Sequence, residues 1–544
     1  MEILPLFVKY TKTLISSGRF WIISTSFLCL SFLLSCSEKE NESFPPPNIL
    51  ILMADDVSFP HMGAYGTSWV NTPTFDRIAQ EGLLFMNAYT PNAKCAPSRA
   101  NFLTGRNSWQ LEEAANHWNN FPEKFKTFME ALSEQGYFTG HTRKGWSPGN
   151  PGQINGQPRL LTGKAYNSKT LEPPTTQISS TDYAENFRDF LNERTSGQPF
   201  CFWYGSIEPH RAYEFGSSLR FGRKTAEIDQ VPGFWPDVDS VRIDLLDYAY
   251  ELEYFDAQAG KMLDMLEELG ELDNTLIIIT ADNGMPFPRA KGQSYEYSNH
   301  LPLAIMWKNG IKNPGRKIED FISFIDMAPT VLEASQITES THGMQIIEGK
   351  SFIDIFQTDK DGLINPKRDH VLIGKERHDV GRPNDVGYPM RGMVKGNYLL
   401  VKNYETDRWP AGNPETGYLN TDGGATKSVI LNLRRRGENQ HYWDLNFGKR
   451  MEVELYDISK DKDCLKNLAH NPEYRAVKES MIQQMEAALR RQEDPRMLGR
   501  GHIFDEYPYV NPNDVGFYEK WLKGETPNAG WVNESDFEKE PVVD

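Results

Sequence analysis

The chain has 544 residues, a formal net charge of −17 at neutral pH and the composition of an ordinary globular protein, without repeats or low-complexity bias. That length allows one large core and a smaller second unit, because single cores stop growing near ~250–300 residues. The acidic balance argues against nucleic acid or an anionic membrane as a bulk electrostatic partner, so any anionic ligand must meet locally placed positive charge.

At the start, Lys9, Lys12 and Arg19 precede the apolar run WIISTSFLCLSFLL, the pattern of a secretory signal; a plain signal anchor is the alternative. Its ending, LLSC at Cys36, resembles a bacterial lipobox, which implies lipidation of Cys36. Residues 1–35 are therefore expected to be a lipoprotein signal peptide, and 36–47 a polar, proline-rich tether. The protein would be an exported bacterial lipoprotein, periplasmic or on the outer-membrane surface, touching the membrane only through its lipid. Cys29 would leave with the signal, and Cys95, Cys201 and Cys464 are too few for a disulfide framework.

The run PNILILM leads into Asp55 and Asp56, and NTLIIIT leads through Ala281 into Asp282 and Asn283. Continuous rather than alternating apolar runs predict strands buried on both faces, as in a parallel α/β sheet. Between them, LLDYAYELEYFDAQAGKMLDMLEELG has helical spacing and closes at Gly270. Both acidic tips then fall at carboxyl ends of strands, where open α/β sheets keep their ligands. Gathered carboxylates call for a cation, and an all-oxygen set suits calcium, or less well magnesium, rather than zinc. Each pair on its own also reads as a helix cap or turn.

CAPSRANFLTGR, from Cys95, predicts a helix start with Pro97 in the first turn. A thiol there faces exposed N–H groups and Arg99, which favour a reactive anion. A cysteine packed beneath a helix fits the same residues.

The same stretch resembles the sulfatase signature C-x-P-S-R, and PNILILMADDVS, NTLIIITADNGMPFPRAK and VELYDISKDKDCLKNLAHNPEY resemble that family's metal-binding segments and C-terminal signature. The likeness spans most of the chain, and SIEPHRAY and GYPMRGMVKGNYLLVKNY place it nearest the heparan N-sulfatase branch and related bacterial polysaccharide sulfatases. It implies an alkaline-phosphatase-like sandwich with a large, mostly parallel sheet. It also implies that a maturation enzyme oxidises Cys95 to formylglycine, and that Asp55, Asp56, Asp282, Asn283 and the modified Cys95 hold calcium. Arg99 would fix the formylglycine, Lys144 and Lys291 would clamp the sulfate, and His210 would meet the sulfate or leaving group. In K-x-H, where the family carries a histidine assigned as a base, this sequence has Trp146. An indole accepts no proton, so Trp146 is either a sugar platform or a packing residue.

A catalytic domain over 48–365 is followed by a change of character at 366–544, where short strand-like runs and the amphipathic PEYRAVKESMIQQMEAALRRQ predict an antiparallel sheet with a packed helix. Glu376, Arg377, His378 and Arg391 there, with Arg211 and His300, are candidate contacts to a sulfated sugar; surface charge is the competing reading. The expected activity is hydrolysis of sulfate esters or N-sulfate in a sulfated polysaccharide or oligosaccharide. The alternatives are a phosphodiester or phosphonate hydrolase of the same superfamily and a non-catalytic glycan-binding surface protein.

Overall fold

Strand β1, Asn48–Ala54, is buried at every position, and its register explains why. It lies between two parallel neighbours, β5 (Phe200–Gly205) and β6 (Thr275–Ala281), in an eight-stranded sheet. The computed structural model describes residues 46–539 and 542; the expected signal peptide, Cys36 and nearly all of the tether lie outside them. Among the described residues, no helix is long and apolar enough to cross a membrane.

The other strands are β2 (Leu83–Tyr89), β3 (Phe138–Arg143), β4 (Lys164–Ala165), β7 (His300–Met306) and β8 (Arg316–Ser323). The order is β8-β2-β7-β6-β1-β5-β3-β4, with β7 antiparallel to β6 and β2 and the other pairings parallel. Successive side chains of β1 point to opposite faces, as pleating requires. Leu50, Leu52 and Ala54 enter one apolar layer, while Ile49, Ile51 and Met53 enter the other. Helices cover both layers, which is the expected α/β sandwich. The 30-residue helix Asp239–Glu268 lies on the first face and ends where Gly270, at φ 70°, takes a left-handed turn.

A second, antiparallel sheet follows: β9 (His370–Lys375), β10 (Met390–Lys395), β11 (Tyr398–Asn403) and β12 (Val453–Asp457). The helix Arg475–Arg491 packs Met481, Met485, Ala488 and Leu489 against Leu372, Met393, Leu400 and Leu455 of this sheet. Both sheets belong to one compact unit, Phe44–Asp544, and the expected boundary at 366 falls in the loop before β9.

Arg391 fastens β10 to the segment beyond that helix. It is fully buried, donates to both carboxylate oxygens of Asp494 at 2.8 and 3.0 Å, and pairs with Glu376 at 2.7 Å. Arg496 takes the other oxygen of Glu376 at 2.6 Å. Removing one partner of a buried ion pair leaves the other uncompensated, so Arg391→Met should cost about 3–5 kcal/mol. A urea unfolding midpoint equal to that of the wild type would contradict this account.

Candidate active site

Because Ala54 pairs with Ala281 at the last rung of the β1–β6 ladder, the residues that follow emerge side by side. Carboxylate oxygens of Asp55, Asp56 and Asp282 come within 4.8 Å of one another, all buried. Asp56 holds a left-handed backbone (φ 75°) and donates its N–H to Asp282 Oδ1 at 3.1 Å. Such conformations carry a strain of about 1–3 kcal/mol and persist where the surroundings enforce them. Burial, then the charge of Asp55, pushes the Asp282 carboxyl up; burial of Asp55 is outweighed by Lys144, His210 and Arg99, which hold it below its usual value.

This donor set fits a hard cation. Asn283 donates from Nδ2 to Asp56 Oδ1 at 2.7 Å and to its neighbour's carbonyl, but its buried Oδ1 has no hydrogen-bond partner. A buried, unmatched amide oxygen beside three carboxylates is a costly arrangement that an oxygen-seeking ion relieves.

Cys95 is the first residue of the helix Cys95–Thr104, all of whose residues are buried. Its Sγ lies 3.6 Å from Asp55 Oδ1 and 3.9 Å from Asp56 Oδ1. Here the helix-start argument for an acidic thiol fails. Burial pushes the thiol well up, and the nearby Asp55 and Asp282 charges add to this against Lys144 and Lys291. The rest of the signature is locked in place. Ser98 donates to the Asp282 carbonyl, and Arg99 donates from Nε to Asp282 Oδ2 at 2.8 Å. Arg99 also reaches the carbonyls of Lys144 and Gly145 at 2.5 and 2.8 Å, while its second terminal nitrogen has no hydrogen-bond partner and stands 3.6 Å from Asp55. Gly205 lets the Lys144 loop close onto β5, since a Cβ there would collide with the Lys144 carbonyl.

Positive side chains ring the acidic floor. Lys144 contacts Asp55 Oδ2, Lys291 bridges Asp56 (2.7 Å) and Asp422 (2.9 Å), and His210 Nε2 stands 3.9 Å from Asp56. Burial works against the charge of Lys291, but Asp422 and Asp56 hold its affinity for a proton well above the usual value. Cys95, Lys144, His210 and Lys291 line one cleft of about 480 Å³. The same cleft takes in residues that the sequence did not single out: Lys94, His117, Trp118, Asp379, Asp422 and Trp531. They come from five separate loops, and only Lys94, beside Cys95, had a neighbouring motif to mark it.

The seven expected sugar contacts do not line this cleft. Trp146 is 8% exposed, donates its indole N–H to Ala96 O at 3.1 Å and meets Phe121 edge-on, so it packs under the Cys95 helix instead of offering a face to a sugar. Arg211 is spent on Asp244, with bonds of 2.8 and 2.7 Å. His300 is stacked between Phe59 and Tyr89 with both nitrogens bonded, and lines a separate cavity of about 760 Å³. Glu376 and Arg391 form the ion cluster described above. Arg377 is turned to the carbonyls of Asp505 and Tyr507, and His378 is buried against Asn92.

Residues 47–337, more than half of the chain, match the Sulfatase family model. The chain belongs to the sulfatase family. Members of this family are sulfuric ester hydrolases. Among this sulfatase's relatives, human N-sulphoglucosamine sulphohydrolase is 27% identical over 493 residues, covering 85% of this chain and 93% of the relative. An ulvan-active sulfatase from Formosa agariphila is 26% identical over 513 residues, covering 84% and 78%. A protein structure solved with its substrate D-glucosamine-2-N,6-O-disulfate superposes with a TM-score of 0.58 at 20% identity, over 82% of this chain and 98% of that one, a likeness of fold.

Proposed function

We propose that this sulfatase removes sulfate, as an ester or N-sulfate, from a sulfated oligosaccharide or polysaccharide, with residue 95 matured to formylglycine and calcium held by Asp55, Asp56, Asp282 and Asn283. The observation that carries the reading is the buried Cys95 set between a three-carboxylate cluster with an unpartnered Asn283 oxygen and the cations Arg99, Lys144 and Lys291. A thiol kept protonated is a poor nucleophile, whereas an aldehyde hydrate at this position would supply an oxygen. Bound calcium would draw charge from that oxygen and from the sulfate. The named activities of the relatives, on N-sulphoglucosamine and on ulvan, support a saccharide substrate. The remaining partners in this reading are a formylglycine-generating enzyme and, through Cys36, a lipid anchor.

The side chains divide the work by position. Lys144 and Lys291 present ammonium groups to a sulfate in the cleft and stabilise charge as it moves through the transition state. Arg99, bonded to Asp282 and to two carbonyls of the Lys144 loop, keeps the floor and that wall in register. His210 Nδ1–H donates to the Arg211 carbonyl at 2.5 Å, so Nε2 accepts in the neutral ring and donates in the imidazolium form. That leaves Nε2 to protonate a departing oxygen or nitrogen.

Protein co-expressed with a maturation enzyme should release sulfate from at least one member of a panel of N-sulfated glucosamine, heparan and ulvan oligosaccharides. Faster turnover of a phosphodiester or phosphonate than of any sulfate would overturn the reading. Lys291→Ala should lower kcat/KM by about 10²–10³-fold, the scale seen when one preorganised charge-stabilising donor is lost. Steady-state kinetics on the best panel substrate check this.

A further inference from the structure

Adding water to a sulfate ester requires a proton to leave one oxygen and another to reach the departing group. Two histidines line the cleft, His117 and His210. His210 faces the acidic floor. His117 lines the same cleft beside Asp379, and its surroundings are those of an oriented base.

The ring Nδ1 of His117 is 2.8 Å from Asp379 Oδ1, and its backbone N–H donates to the Arg377 carbonyl at 3.0 Å. An ionised carboxylate only accepts, so Nδ1 carries the hydrogen and Nε2 keeps its lone pair. Burial works against the charge of Asp379, but Lys94, which pairs with its second oxygen at 2.8 Å, outweighs it and keeps the carboxyl ionised. His117 is 6% exposed, and its Nε2 has no hydrogen-bond partner among the described residues. Leaving a buried acceptor unmatched costs about 1–3 kcal/mol, which a bound hydroxyl would recover. The next residue, Trp118, holds a left-handed backbone (φ 50°) and also lines the cleft. Lys94 directly precedes Cys95, so one carboxylate fixes both the imidazole and the start of the Cys95 helix.

We propose that His117 is a further catalytic residue of this cleft, taking a proton at Nε2 from a hydroxyl held beside residue 95, with Asp379 as its positioning residue. The inference rests on the sulfate-hydrolysis reading. In the step, an O–H bond breaks, an Nε2–H bond forms, the electron pair stays on oxygen, and the imidazolium later returns the proton to solvent or product. Trp146, where K-x-H would put a histidine, is committed to packing. The charged and titratable groups facing His117 are Asp379, which raises its basicity, and Lys94 and Lys291, which lower it; His378 lies near. Burial dominates and brings His117 to about 4, so the imidazole is neutral and proton-accepting at neutral pH.

The test uses matured full-length protein, 4-nitrophenyl sulfate and the best saccharide of the panel. An aryl leaving group needs no protonation, so that substrate isolates the base. A wild type inactive on every sulfate defeats the sulfate-hydrolysis reading itself. With an active wild type, His117→Gln should lose at least ~10²-fold in kcat with KM unchanged or lower. Added imidazole should restore at least about tenfold of that loss, and unmatured Cys95 protein should bind the saccharide with Kd within about threefold of the wild type. His117→Asn, whose amide still reaches Asp379, is judged by the same thresholds should glutamine unsettle the Lys94–Asp379 pair. A smaller loss in kcat, a loss confined to KM, or no rescue by imidazole would overturn the proposal.

Discussion

Cys95→Ala should abolish sulfate release, lowering kcat by ~10⁴-fold or more, the order seen when a covalent nucleophile is removed. The fold should scarcely notice. Residue 95 is the first of its helix, and the segment is held by Ser98, Arg99 and the carbonyls they reach rather than by the sulfur. The sulfur does approach Asp55 and Asp56, but deleting it removes a buried polarisable atom from among carboxylates, not a charged partner. Thermal unfolding within a few degrees of the wild type, with no product above background, is the expected pair of results. Mass spectrometry of the wild-type peptide spanning residue 95 completes the test, because the reading requires an aldehyde there. A variant retaining more than about a hundredth of the wild-type rate would show that residue 95 is not the nucleophile. An unmodified cysteine in wild-type protein taken from its native host would favour a glycan-binding role without turnover.

The sequence carried the acidic floor because its two strands are uninterrupted apolar runs that end abruptly in Asp-Asp and Asp-Asn, and burial on both faces leaves such runs few places in a sheet. The Cys95 helix was legible for a related reason: Pro97 and the closing Gly105 bracket it. What stayed hidden was the rest of the cleft lining. His117, Asp379, Asp422 and Trp531 lie in loops whose local sequence has neither periodicity nor spacing, and only the chain's path brings them to one cleft. The ion pairs of Arg211, Glu376 and Arg391 were hidden for the same reason: each is buried with an opposite charge that lies far along the chain or in an unpatterned loop. Local sequence left a reactive and a packed Cys95 equally open, because the burial that raises its affinity for a proton depends on distant parts of the chain.

Chelation should both silence the enzyme and soften it, and calcium should reverse both effects. Asp55, Asp56 and Asp282 are 1% exposed or less, and together with Asp422 they face Lys144, Lys291 and Arg99. Lys291 bonds two carboxylates, and Arg99 bonds Asp282 and two carbonyls. None of them reaches Asn283 Oδ1, so part of the cluster's demand for positive charge goes unmet without an ion. A ligand that binds only the folded state stabilises it by about 2.7 kcal/mol at a hundred times its Kd. EDTA should therefore lower the unfolding temperature by a few degrees, and returning calcium should restore it. Magnesium should restore less, since it demands a near-ideal octahedral shell and gives up its waters reluctantly, whereas calcium accepts an irregular oxygen cage. The decisive control is Asp282→Ala. It removes one ligand and frees Arg99 Nε, so it should erase the calcium-induced rise in unfolding temperature along with turnover. A rise as large in the variant as in the wild type would place the ion somewhere other than the carboxyl ends of β1 and β6.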